Sequence, residues 1–132
     1  MISEKEITKG KDVPVAFQND LKILLERVNK LRSLYGKPMY VSSGFRSMDQ
    51  HIAIYAAKGI PADKVPMKSR HLYCQACDFA DKDGALKAFV KANDYQVLKD
   101  CELWMEAESA CDGWLHVQIC APAQTGNREF LP

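Results

Sequence analysis

The chain has 132 residues, 47% of them hydrophobic, which is the size of one domain with room for a real core. Eighteen Lys and Arg against 17 Asp and Glu give a formal net charge of +1, so the electrostatic footprint of a nucleic-acid binder is absent. No apolar run approaches the roughly 20 residues of a membrane helix, and the amino terminus MISEKEITKGKD carries no apolar segment of a secretion signal. The expectation is one monomeric domain over residues 1–132, its core within about 14–120, made in the cytoplasm without a signal peptide, with no nucleic-acid partner and no membrane insertion.

From Pro14 to Tyr35, Leu21, Leu24, Leu25, Val28, Leu31 and Tyr35 recur at three- and four-residue intervals, which predicts the main core helix, stopped by Gly36 and Pro38. Met39–Ser43 reads as a short strand, after which Ser42-Ser43-Gly44 turns the chain toward a polar site. A second helix is expected over Met48–Lys58. Gly59–Ser69, with two prolines and a charge cluster, is a loop that delivers His71 to the start of the next strand. In Ala76–Ala80 the alternation sets Ala76, Asp78 and Ala80 on one face and Cys77 and Phe79 on the other. Asp83 and Gly84 open a third helix that runs to about Asn93, and beyond it the pattern predicts only strands. These are Cys101–Glu106 and Trp114–Ile119, an antiparallel hairpin across Ala107–Gly113, with Trp114, His116 and Gln118 sharing its polar face. The tail from Ala121 reads as surface coil. The fold class is α+β, a small, mainly antiparallel sheet packed against helices.

Five cysteines, Cys74, Cys77, Cys101, Cys111 and Cys120, are odd in number and scattered, as buried thiols are and disulfide frameworks are not. Cys74 and Cys77 form a C-x-x-C pair, which a redox centre or half of a tetrahedral zinc site would use, but no second close pair follows.

The chemistry-bearing segment is Ser69–Asp78. It holds His71 and, seven residues later, Asp78 inside a strand, while a second histidine, His116, lies far downstream within Gly113–Ile119. Two histidines and an aspartate match the three protein ligands of a catalytic zinc, whose fourth position holds a water with its pKa lowered to about 7. Spacing alone more often marks a hydrogen-bonded His–Asp pair than a metal site. His51, on the second helix, is expected to be exposed and to have no metal role. Trp104, Trp114 and Tyr73 are expected in the core, with a substrate groove as the alternative.

Ser43-Gly44-Phe45-Arg46-Ser47, then Ser69-x-His71 with Ala76-x-Asp78, then Trp114-x-His116 resemble, in order, three signatures of the M15 family of zinc peptidases, over roughly residues 15–120. That family includes D-alanyl-D-alanine carboxypeptidases and phage endolysins, and it shares its fold with the Hedgehog signalling domain. The resemblance implies a Hedgehog/DD-peptidase-like fold, a Zn2+ ion on His71, Asp78 and His116, and Arg46 as the active-site arginine. Such a guanidinium stabilises an oxyanion or anchors a substrate carboxylate. It implies a peptidoglycan stem peptide as substrate, cut after the enzyme is released to the cell wall, with L-alanyl-D-glutamate and D-alanyl-D-alanine linkages both open.

The chain departs from the family pattern twice. Cys74 stands where glycine is frequent, and Gly113 stands where many members carry the catalytic carboxylate three residues before the last histidine. Glu106 is the preferred general base, because a tight hairpin sets it almost opposite His116; Asp112 and Glu108 are the alternatives. The missing acid at Gly113 motivates a second reading, a non-catalytic zinc-binding structural or wall-binding module of a phage or prophage.

Overall fold

The strongest periodicity in the sequence becomes the longest helix of the computed structural model, which describes residues 1–67, 69–122 and 128–131. Helix α2 (Val15–Tyr35) is capped by Pro14 and closed by Gly36, whose N–H donates to the Arg32 carbonyl. Its stripe of Leu21, Leu24, Val28 and Leu31 is buried, each side chain worth about 1.5–3 kcal/mol in removed apolar surface.

A short helix, α1 (Glu4–Thr8), precedes it and was not expected. Ser3 Oγ accepts from the Glu6 N–H while Glu6 Oε1 accepts from the Ser3 N–H, a reciprocal cap legible in the Ser-x-x-Glu spacing. Ile7 from this helix and Ile2 just before it enter the main core, so the core begins well before residue 14. A third helix, α3 (Met48–Ala56), starts on the side chain of Ser47, which accepts from the Gln50 N–H.

Five strands, β1 (Val41–Ser43), β2 (Ala76–Ala80), β3 (Trp104–Glu106), β4 (Trp114–Gln118) and β5 (Glu129–Phe130), form one sheet in the order β1-β2-β4-β3-β5. All neighbours are antiparallel except β3 and β5. Alternation along the strands then sorts the side chains. Phe79, Met105, Leu115 and Val117 enter the core beside Leu24, Val28 and Leu98, and the opposite face carries Asp78 and His116. The architecture is the α+β class expected.

Three local expectations are corrected. Helix α4 (Ala85–Cys101) breaks at Ala92–Tyr95, near the expected end, but then resumes instead of yielding to a strand. Leu98 and Cys101, three apart, are buried on its inner stripe, and the chain turns at Glu102 before β3 begins at Trp104. The tail is not all coil, because Glu129 and Phe130 pair alongside Met105 and Glu106 as β5. His71 sits in a 3-10 turn, Arg70–Tyr73, rather than at a strand start.

Candidate metal centre

His116 and Asp78 face each other across β4 and β2 in register, with His116 Nδ1 2.8 Å from Asp78 Oδ1. The Arg70–Tyr73 turn brings His71 over the same carboxylate, its Nε2 3.3 Å from Asp78 Oδ2. One ligand atom from each of the three lies within 4.8 Å of the others, and all three residues are buried. Residues 71, 78 and 116 thus converge.

Each imidazole is oriented by a partner on its far side. His71 Nδ1 donates to the Gly44 carbonyl at 2.7 Å, which leaves the Nε2 lone pair for the centre. His116 Nε2 lies 3.1 Å from Gln118 Oε1, and the Gln118 amide nitrogen donates to the Cys120 carbonyl at 3.0 Å. That second bond fixes which end of the Gln118 amide faces the ring, so Nε2 of His116 holds a proton and Nδ1 turns inward. Two imidazole nitrogens and a carboxylate oxygen are the donor set of a divalent zinc site.

Without a metal, the same contacts set the protonation of the centre. Burial pushes the Asp78 carboxyl upward, but hydrogen bonds from His116 and His71 outweigh it and hold the group well below the usual carboxylate range. Burial lowers His116, and the bond to Asp78 more than reverses that, so its pKa is raised.

Arg46 follows β1 and reaches the centre. Its Nε donates to Ser43 Oγ at 3.2 Å, its guanidinium lies 4.0 Å from Asp78 Oδ2, and its backbone N–H donates to the His71 carbonyl. Glu106, at the end of β3, places Oε2 3.8 Å from His116 Nδ1. Of the three candidate bases it alone lines the cleft above the centre. Glu108 is instead exposed and paired with Lys91 at 2.8 Å, and Asp112 is exposed in the turn before β4.

The cleft has a volume of about 560 Å³ and takes Tyr55, Trp114 and Phe130 as aromatic walls. Trp114 thus belongs to the groove. Tyr73 packs edge-on against Phe17, and Trp104 lies under the Arg128 guanidinium. Phe130, whose ring centroid is 6.1 Å from that of His116, comes from the segment expected to be coil, and nothing in the sequence marks it. Gln118, by contrast, was legible as a neighbour of His116 on one strand face, though not as its partner.

His51 is the clear error. It is fully buried, with Nε2 donating to the Pro66 carbonyl at 2.7 Å and the ring against Tyr55, because it lies on the inward face of α3. It takes no part in the three-residue cluster.

The family model described as Peptidase M15 matches residues 1–118. The chain belongs to the M15 peptidase family. It is therefore a hydrolase of the peptidase class. Comparison with curated proteins gives no match. Among solved structures it is similar to the Serratia marcescens L-Ala D-Glu endopeptidase ChiX, with a TM-score of 0.55 and 19% identity over 82% of this chain and 89% of that one. At that identity the likeness is one of fold.

The cysteines of this M15 peptidase are free thiols. Burial pushes Cys74 up to about 12, with Asp20 and Glu4 adding to it, and burial likewise raises Cys77. A reactive C-x-x-C pair needs the reverse, so burial argues against a redox centre here.

Proposed function

We propose that this M15 peptidase is zinc-dependent and hydrolyses peptidoglycan stem peptides, as an endopeptidase between L-alanine and D-glutamate. The observation that carries the zinc is the convergence of His71, Asp78 and His116 with both imidazoles pre-oriented from behind by Gly44 and Gln118. The bond is drawn from the activity in the name of the Serratia protein of like fold.

Zinc on these ligands would supply Lewis acidity and a lowered water pKa. Glu106 removes a proton from the attacking water and delivers it to the leaving amine, so that water adds across the C–N bond. Its place at the mouth of the centre, beside His116, suits both transfers. Arg46, braced by Ser43, stabilises the oxyanion that develops on the carbonyl. Trp114 and Phe130 wall off bulk water around these groups.

Metal analysis of the wild type beside His71→Ala, together with release of new amino groups from purified peptidoglycan, tests this reading. Stoichiometric zinc lost in His71→Ala, with hydrolysis lost in Glu106→Gln, is the expected outcome. Bound zinc without new amines points instead to the non-catalytic wall-binding module of a phage or prophage. That result overturns the catalytic assignment.

A further inference from the structure

Charged side chains in the cleft are unevenly engaged. Asp78 is taken up by the two histidines and Arg46, and Glu106 sits beside His116. Two further cations line the same cleft, Lys58 just beyond α3 and Arg70 in the turn that carries His71. Among the described residues neither has an acidic partner. Arg70 Nη1 donates to Gln75 Oε1 at 3.3 Å, and the Lys58 ammonium lies 5.2 Å from the centre of the Tyr55 ring. Some cations elsewhere are matched with acids, as Lys91 is with Glu108 and Glu129 and Arg27 with Glu102, while others bond to carbonyls, as Lys9 and Lys30 do; Arg70 and Lys58 stand out because both line the cleft of the candidate centre.

Each contact of Arg70 and Lys58 aids an anion-binding role. The Gln75 carbonyl steadies one end of the guanidinium and leaves its other donors open, and Tyr55 offers its ring face without neutralising the lysine. A peptide bound over the centre would share the cleft with these two groups. We propose that Arg70 and Lys58 form a carboxylate subsite, so that the enzyme selects peptides bearing a free carboxylate next to the scissile bond and discriminates against the carboxamide. The idea rests on the stem-peptide reading and deepens it. A glutamate whose nitrogen lies in the scissile bond has two carboxyl groups, only one of which continues the chain. The other is the anion the subsite takes.

The test is a pair of probes, L-alanyl-γ-D-glutamyl-L-lysine and the same peptide with the free D-glutamate carboxyl converted to a carboxamide. Their affinities are measured by calorimetry on the zinc-loaded Glu106→Gln protein, which removes turnover from the reading. The acid should bind about tenfold more tightly than the amide, as one charge-assisted contact allows. In Arg70→Gln/Lys58→Gln the ratio should fall to near one, whereas the charge-keeping pair Arg70→Lys/Lys58→Arg retains most of it. Lys22→Gln, on the exposed flank of α2, controls for net charge and leaves the ratio intact. Equal affinity for the two probes, or a preference that survives the double Gln variant, overturns the subsite. Wild-type protein that hydrolyses neither probe while the binding preference persists would fell the peptidase reading and leave the anion subsite standing.

Discussion

Gly44→Ala is the substitution through which fold and site are most tightly joined. A methyl group at this position would lie 2.2 Å from the Ile7 carbonyl oxygen and 2.9 Å from both the carbonyl carbon and Cα of Ile7, all backbone atoms that cannot swing aside. The neighbouring Phe45 N–H donates to that same Ile7 carbonyl at 2.8 Å, so α1 and the segment after β1 must part for the methyl to fit. Overpacking of this kind costs about 1–3 kcal/mol, and loss of the Phe45 bond brings the expectation to about 2–4 kcal/mol. With a urea slope of about 2 kcal/mol/M, the unfolding midpoint of the metal-free protein should fall by about 1–2 M. The Gly44 carbonyl also holds His71 Nδ1, so the displacement should weaken zinc binding by about 10- to 100-fold in a competitive chelator titration. A Gly44→Ala protein with an unchanged midpoint and unchanged zinc affinity would refute the coupling of the Gly44–Ile7 contact to His71.

Three further outcomes are expected. Gln118→Leu should weaken zinc binding about 10- to 100-fold, while Gln118→Glu keeps an acceptor for His116 Nε2 and loses far less; nitrogen-15 shifts of the His116 ring in both variants report the tautomer directly. In native protein the four buried thiols should resist an aromatic disulfide reagent at neutral pH, Cys74 and Cys111 being pushed up to about 12, with all five reacting once urea is added. Rapid loss of two native thiols together would revive the C-x-x-C reading. For the metal-free protein, the depressed Asp78 carboxyl contributes stability that is complete above its ordinary value of 3.8 and lost as pH falls through the folded value. The raised His116 contributes stability that is complete below 6.5 and lost as pH rises through its folded value. The melting temperature in chelator should therefore be highest between about pH 4 and 6.5, and zinc should abolish the alkaline decline; an unchanged decline would speak against His116 as a ligand.

Periodicity and residue chemistry carried the reading as far as side chains that answer to a repeating pattern. The α2 stripe, the alternation in β2 and β4, and the hairpin that sets Glu106 beside His116 all follow from local spacing. Short elements held by tertiary contacts did not. α1 is five residues long and β5 two, lengths at which burial of Ile7 and pairing with β3 decide the structure rather than any propensity. His51 was misplaced because α3 presents apolar residues on several sides, so that only packing against Pro66 and Tyr55 reveals which face is inward. Arg70 and Lys58 were invisible as a pair, since eleven residues lie between them and only the tertiary fold brings them to one cleft.

The two departures from the family pattern have opposite physical meanings. Cys74 caps the Arg70–Tyr73 turn with φ 58° and ψ 32°, a left-handed conformation that glycine adopts freely and that costs another residue about 1–2 kcal/mol. Its thiol is fully buried in the main core, and that packing offsets the strain. Gly113 lies the other way: its φ of 88° suits the turn into β4, and its carbonyl accepts from the Asp81 N–H, so a side chain there would be strained. A carboxylate three residues before His116 would therefore disturb the very strand that presents the histidine. Glu106 avoids the conflict by approaching His116 from β3, the other neighbour of β4, while Asp78 approaches from β2. In the proposed mechanism the general base has thus moved from the strand of the ligand to the strand beside it, and the sheet order β2-β4-β3 is what permits the move.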